Sequence, residues 1–131
     1  MAKGEANKRA RQEALTHLGK DLTRRSHSHC ELCGKGGTRL GAVEVAPLPA
    51  EPDLEHSIFI CEQCQEAMSP NNLSPQYWRF LETAIWSDLP PVQITAVRLT
   101  RQFSTQGEDW ATTLLESLYL EPAIIEWLDG S

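Results

Sequence analysis

The chain has 131 residues, which is enough for one domain, and 40% of them are hydrophobic, so it can bury a modest core. No apolar run approaches the roughly 20 residues that span a bilayer. The formal net charge is −6, and residues 1–25 hold 7 of the 12 basic side chains but only 3 of the 18 acidic ones. The remaining body is therefore strongly acidic, which disfavours non-specific nucleic-acid binding.

An amphipathic helix is predicted from about Asn7 to Arg25. This stretch is rich in Ala, Arg, Lys, Gln, Glu and Leu, all of which favour helix. Leu15, Leu18 and Leu22 recur at positions i, i+3 and i+7, which gives one apolar face. We interpret its basic side chains as a solvated helix face.

All four cysteines lie in two Cys-x-x-Cys pairs, Cys30 with Cys33 and Cys61 with Cys64, with 27 residues between the pairs. Two close pairs of thiolates suit a tetrahedral Zn²⁺ ion. A redox-active pair would explain only one of the two motifs. Structural disulfides need an oxidising compartment, whereas the N-terminus lacks the apolar segment of a secretory signal, so a cytoplasmic setting is expected. Zinc is favoured, redox-active or catalytic thiols are the next alternative, and another metal such as iron is the least favoured.

The residues between the pairs predict a β-hairpin. A short strand is expected from Arg39 to Ala46, followed by a proline-rich connection at 47–53 and a second strand at 57–60 that runs into Cys61. Gly34 follows the first pair, and we expect it to supply a positive φ while backbone amides point at the sulfurs. We call each Cys-x-x-Cys turn a knuckle, Cys30–Cys33 being the first and Cys61–Cys64 the second. The order of knuckle, strand, loop, strand and knuckle is that of a zinc ribbon.

The second half of the chain predicts helices. Ser74 and Pro75 have the residue types of an N-cap and a first helical position, and this helix is expected to end near 87. Further helices are expected from about 91, 108 and 122. All four tryptophans lie in this half and, being at helical spacing, are predicted to be core residues: Trp78, Trp86, Trp110 and Trp127.

The sequence therefore predicts an α+β protein with three regions. These are a basic amphipathic helix (1–25), a four-cysteine zinc ribbon with a short β-hairpin (26–68), and a helical region of three to four helices (69–131). The ribbon has no tryptophan and is expected to depend on its metal for folding. Because the helices have their own apolar faces, we expect them to retain much of their structure when a cysteine is replaced.

Four thiolate ligands predict a structural zinc site, with no catalytic residue. They saturate the metal and make it a poor Lewis acid, whereas a catalytic zinc usually keeps one position for water. Three histidines lie near the cysteines in sequence and are interpreted as exposed side chains, although their contribution to a site stays open: His27, His29 and His56.

Four basic residues flank the first cysteine pair: Arg24, Arg25, Lys35 and Arg39. Together they could clamp a tetrahedral oxyanion. The chain has no phosphate-binding loop, no nucleophile elbow and no carboxylate cluster of recognisable spacing. A solvated edge is therefore the favoured interpretation.

Four segments resemble the PhnA-like family of alkylphosphonate-utilisation operon proteins. They lie at 28–34, 43–47, 60–64 and 77–93, and the last contains the most specific run, Trp-Ser-Asp-Leu-Pro-Pro-Val-Gln. The resemblance covers most of the chain and implies a zinc-ribbon-like N-terminal region in a bacterial cytoplasmic protein. The better-known branch of this family has a C-terminal β-barrel, whereas the second half of this chain predicts helices.

These observations favour a non-enzymatic, zinc-binding cytoplasmic protein with a protein partner, associated through the resemblance with alkylphosphonate utilisation. Two alternatives remain open. One is an enzyme of phosphonate metabolism, and the other is a nucleic-acid-binding ribbon that uses the basic N-terminal helix. Neither phosphonates nor nucleic acid are expected to bind tightly at physiological salt, because the body is acidic and the metal is saturated.

Overall fold

The structure is a computed structural model that describes the backbone of residues 2–130 and the side chains of residues 8–130. It begins with two helices, α1 (Ala2–His17) and α2 (Gly19–Ser26), where the sequence predicted one. The break lies at Leu18, whose amide bonds to the carbonyl of Leu15, only three residues back, at 3.1 Å. Gly19 follows Leu18 directly, and glycine is a weak helix former, which favours an interruption of the helix at this point.

The predicted hairpin is present. Strand β1 (Leu40–Glu44) pairs antiparallel with strand β2 (Ser57–Cys61), with Leu40 opposite Cys61 and Glu44 opposite Ser57. Every residue of β2 is buried, as expected of a β-branched and aromatic strand covered on both faces. The register places the end of β2, and with it the second cysteine pair, beside the start of β1.

Five helices follow the hairpin: α3 (Glu62–Ala67), α4 (Leu81–Ala84), α5 (Pro90–Thr105), α6 (Asp109–Glu116) and α7 (Pro122–Asp129). Three short 3₁₀ turns lie at Leu54–His56, Pro70–Asn72 and Tyr77–Phe80. The architecture is therefore α+β, as predicted. Among the described residues, no helix has both the length and the apolar character needed to cross a membrane.

Helix α5 is the centre of the helical half. Pro90 and Pro91 form its first turn, where the missing amide protons have no helical partner to lose. The helix packs against α4, α6, α7 and β2, and most of its length from Pro91 to Phe103 is buried. A helix that is buried on most of its surface belongs to the core.

One buried core extends from the cysteines to the last helix. It joins Leu32 and Ile60 of the ribbon to Trp78, Val97 and Leu128 of the helical half. The division of the chain into regions 1–25, 26–68 and 69–131 stays a prediction. The packing nevertheless shows that side chains from both sides of 68 share one interior, so the helices do not bury their apolar faces separately.

The helix predicted to start at Ser74 and Pro75 is wrong in its boundaries. Tyr77–Phe80 is a 3₁₀ turn that leads into the single turn of α4, and neither element has a side-chain cap. Three aromatic residues within four positions lower helix propensity here. Their rings pack on one another with centroid distances of 5.1–5.5 Å, so tertiary packing sets the backbone.

The prediction that all four tryptophans are core residues is wrong for Trp86, which is 49% exposed, whereas Trp78 is fully buried. Trp110 and Trp127 are partly buried against the core. Because α4 ends at Ala84, Trp86 lies in a connection where helical spacing no longer determines side-chain direction.

Candidate metal centre

The first cysteine pair lies in a tight loop that follows α2. The amide of Cys30 bonds to the carbonyl of Lys35 at 3.0 Å, and the amide of Gly34 bonds to the carbonyl of Cys30 at 2.9 Å. Gly34 has a φ of +81°, which confirms the expected left-handed position after the second cysteine. The Cys33 amide points at the Cys30 sulfur at 3.4 Å. This loop therefore directs both sulfurs to one side.

The second pair is placed by the junction of a strand and a helix. Cys61 is the last residue of β2 and the N-cap of α3, and its sulfur accepts a hydrogen bond from the Cys64 amide at 3.4 Å. Cys64 lies in the first turn of α3 and is fully buried. The two knuckles thus repeat the same amide-to-sulfur bond, which the sequence predicted for the first pair.

The four sulfurs meet at one point. All lie within 4.8 Å of one another, and none of the four cysteines forms a disulfide. Between the knuckles, the Cys30 and Cys64 sulfurs are 3.8 Å apart, as are those of Cys33 and Cys61. A tetrahedron of sulfurs about 2.3 Å from a central ion has edges of about 3.8 Å. The four side chains therefore fit a tetrahedral metal ion.

When no cation is present, a negative charge on one of the four sulfurs disfavours a negative charge on its neighbours. The hydrogen bond between the Cys30 and Cys64 sulfurs lowers the pKa of Cys30 to about 4 and raises the pKa of Cys64. Burial raises the pKa of Cys33 to about 11. Cys33 and Cys64 therefore favour the protonated form when no cation is present, and a metal ion that binds all four sulfurs would displace their protons.

Tyr77 extends the centre beyond the cysteines. Its hydroxyl oxygen lies 3.2 Å from the Cys64 sulfur. Burial raises the pKa of Tyr77, so the hydroxyl stays protonated and can donate a hydrogen bond to a thiolate. Such donors to ligand atoms orient and tune metal sites. Sequence spacing gave no sign of this contact, because Tyr77 lies outside the ribbon, in the 3₁₀ turn before α4.

An ion pair fixes the first knuckle to the hairpin. The Arg25 guanidinium binds the Glu31 carboxylate through two bonds of 2.8 Å, and it also donates to the carbonyls of Leu54 and Ser57. Glu31 also accepts a bond from the Phe59 amide at 2.7 Å. A planar guanidinium suits this geometry. The opposite charges of Arg25 and Glu31, six residues apart, were the only sequence signal for this ion pair, and the sequence analysis missed it.

The oxyanion clamp, which the sequence left as the less favoured interpretation of the four basic residues, is not assembled. Arg25 is engaged in its ion pair, and Lys35 donates to the side chain of Gln63 at 3.3 Å. Arg24 and Arg39 line two different parts of a surface cleft. The four basic side chains therefore do not converge on one point.

The three histidines lie outside the group of four sulfurs. A ring nitrogen of His29 is 2.7 Å from the carbonyl oxygen of His27, and because a carbonyl only accepts, this nitrogen is the donor. His56 is 2.8 Å from the Asp53 carboxylate, and its ring packs on Trp127. Within the described part of the chain, the four cysteines are the group of three or more potential ligands close enough to hold a metal ion.

Comparison of the chain with family models, with curated proteins and with solved structures finds no match.

Proposed function

We propose that Cys30, Cys33, Cys61 and Cys64 bind one Zn²⁺ ion in a structural site. The observation that carries the proposal is the pair of 3.8 Å sulfur–sulfur distances between knuckles, which matches the edge of a zinc–thiolate tetrahedron. Four soft sulfur ligands in this arrangement accept zinc or iron. Zinc is favoured because the paired spacing is that of a zinc ribbon.

The role of this ion is structural. Four thiolates leave no position for water or substrate, and three of the four cysteines are buried. The ion would join the loop after α2 to the start of α3 and so close the ribbon. The amides of Cys33 and Cys64 and the hydroxyl of Tyr77 would donate to its sulfur ligands.

We further propose a non-enzymatic interaction role in the cytoplasm of a bacterium, associated with alkylphosphonate utilisation. The association rests on the PhnA-like run at 86–93. Support for an interaction role comes from large aromatic side chains at the surface: Trp86 is 49% exposed and Tyr119 is 74% exposed. Such residues are enriched where proteins bind one another.

The zinc proposal is tested by elemental analysis of protein purified under reducing conditions. We expect one zinc per chain, and we expect Cys33→Ser to lose most of it, because Cys33 is the most exposed ligand and its loss leaves only three sulfurs. The matched control is His29→Ala, which removes a neighbouring potential ligand from outside the group of sulfurs. Zinc-free wild-type protein, or zinc lost equally in both variants, would refute the assignment.

The interaction role is tested by affinity capture from the host with wild-type protein and with Trp86→Ala. We expect a partner that is retained by the wild type and lost in the variant at unchanged zinc content. Equal capture by both proteins would exclude the surface around Trp86 as the interface.

A further inference from the structure

The two-stranded hairpin has two outer edges, and the edge of β2 is covered by the first knuckle and the end of α2. The amide of Phe59 donates to the Glu31 carboxylate at 2.7 Å, and the carbonyl of Phe59 accepts a bond from the Glu31 amide at 2.9 Å. The carbonyl of Ser57 accepts a bond from the Arg25 guanidinium at 2.8 Å. The backbone groups on this edge are therefore engaged and cannot pair with another strand.

The outer edge of β1 is open. The amide of Val45 bonds across the hairpin to the carbonyl of His56 at 2.8 Å. Because backbone groups alternate between the two sides of a strand, those of Leu40, Ala42 and Glu44 point away from β2. Within the part of the chain that the structure describes, the amides and carbonyls of these three residues have no hydrogen-bond partner. Such a row of free donors and acceptors can pair with another strand.

Strand β1 also lacks the features that usually protect an exposed edge, which are proline, lysine, an unpaired charge or a covering element. Its five residues, Leu-Gly-Ala-Val-Glu, include no proline and no lysine. Its one charge, on Glu44, is bound by the Arg11 guanidinium at 2.7 and 2.8 Å. Every residue of β1 is partly accessible, whereas every residue of β2 is buried. The open side of the hairpin is therefore the β1 side.

Two cavities flank β1, one on each face of the sheet. On the α1 side, a cavity of about 350 Å³ has Leu15, Ala42 and Phe59 in its walls. On the α5 side, a cavity of about 230 Å³ has Val43 and Leu99 in its walls. Successive side chains of a strand point to opposite faces of its sheet. A strand added beside β1 would therefore direct its side chains alternately towards the two cavities.

We propose that the open edge of β1 binds an extended, apolar segment of a partner protein as a third strand. In this mode of recognition, backbone hydrogen bonds supply affinity and cavities for alternate side chains supply specificity. Because both cavities have apolar side chains in their walls, the segment carries apolar residues at successive positions, as a run of Val and Ile does. A second copy of this chain fits less well, because its own β1 has helices on both faces and cavities of this size cannot hold a helix.

This surface differs from the metal centre and from the surface around Trp86. No edge residue is a proposed metal ligand, and Trp86 lies in the connection before α5, outside the hairpin. The test uses the protein as purified, so failure of the edge proposal and failure of the zinc assignment are separate results.

The test is calorimetric titration with an acetylated and amidated peptide, Thr-Lys-Val-Ile-Val-Lys-Thr. The variant is Ala42→Pro, which removes an outward-facing N–H at a place on an edge strand where proline is tolerated. The matched control is Ala123→Pro, at an exposed position in the first turn of α7, where the amide has no partner within the helix. Zinc content and circular dichroism verify that each variant is folded. A second control is the same peptide with its three central amides N-methylated.

A measurement on the wild-type protein keeps the proposal testable if Ala42→Pro does not fold. Hydrogen exchange followed by NMR reports each backbone amide separately. We expect the peptide to slow exchange of the outward-facing amides of Ala42 and Glu44. The amides of Gly41 and Val43 already face β2, so their exchange should change little.

We expect saturable binding that Ala42→Pro weakens about tenfold, because the lost donor leaves a carbonyl of the peptide unpaired. The Ala123→Pro control should change binding less than twofold, and the N-methylated peptide should not bind. Absence of saturable binding, equal weakening in both variants, undiminished binding of the N-methylated peptide, or unchanged exchange at Ala42 would each overturn the proposal. A wild-type dimer that Ala42→Pro converts to a monomer in sedimentation would show that a second copy occupies the edge, and would also overturn it.

Discussion

Tyr77 connects the helical half of the protein to the metal centre through a single hydroxyl group. The contact to the Cys64 sulfur is 3.2 Å long, and the ring packs edge-on against Trp78 and Phe80. The ring of Tyr77 therefore contributes to packing, while its hydroxyl contacts a cysteine of the candidate metal centre. A substitution that removes only the oxygen separates the two roles.

Tyr77→Phe is expected to lower zinc affinity about tenfold, which is the usual cost of losing a donor to a metal ligand. Chelator competition on the purified protein measures this change. Tyr119→Phe removes a hydroxyl from an exposed ring and is the matched control. Unchanged affinity in Tyr77→Phe would mean that the hydroxyl contributes nothing to the site.

Arg25 and Glu31 form a largely buried pair, with side chains 19% and 3% exposed. Arg25→Ala should destabilise the fold by about 3 kcal/mol, because it leaves a buried carboxylate without its partner. Arg79→Ala breaks an exposed pair with Glu82 and should cost less than about 1 kcal/mol. Urea unfolding of both variants measures the difference. Similar costs would show that Glu31 is solvated once Arg25 is gone.

The 3₁₀ turn at Tyr77–Phe80 is the element that joins α3 to the helical half. Trp78 is fully buried, and its indole N–H donates to the carbonyl of Ala67 at the end of α3, at 3.1 Å. Ring packing and this bond help to hold the turn in place, and the turn has no side-chain cap. The turn is thus tied to the helix that carries Cys64.

Trp78→Ala should cost about 4 kcal/mol, the range found when a large buried aromatic is truncated. Trp86→Ala is the control, since its ring is half exposed and its loss should cost less than about 1 kcal/mol. Thermal unfolding followed by circular dichroism compares the two. A Trp78→Ala protein as stable as the control would contradict the core assigned here.

The sequence predicted best the elements that are determined by residues close together in the chain. The cysteine knuckles follow from two-residue spacing, and the hairpin follows from a β-rich run that ends in Cys61. The Ser74–Pro75 helix start was wrong because packing among the rings of Tyr77, Trp78 and Phe80 overrode the capping signal. Tyr77 was missed because it meets Cys64 only when the helical half folds back on the ribbon. The Arg25–Glu31 pair was missed because its two charges are six residues apart, on either side of the end of α2.

At the scale of the whole molecule, the ribbon and the helices share one core. Ile58 and Ile60 of β2 belong to the same buried cluster as Val92 and Val97 of α5. The sequence had suggested that the helices would survive loss of the metal. A shared interior predicts instead that the two parts unfold together, because neither buries its apolar face alone.

Removal of the metal should therefore melt the chain as one unit. In cobalt-substituted protein titrated with a chelator, the thiolate absorption band reports the ribbon, and ellipticity at 222 nm reports the helices. We expect the two signals to fall in parallel, since metal binding and folding are coupled. Ellipticity that persists after the cobalt band has gone would show that the helical half folds independently.

The central claim is that four cysteine sulfurs surround one zinc ion, and X-ray absorption at the zinc edge of the purified protein tests it most directly. The account predicts four sulfur scatterers at about 2.3 Å and no nitrogen or oxygen in the first coordination shell. A shell containing an imidazole nitrogen or a water oxygen, or fewer than four sulfurs, would contradict it.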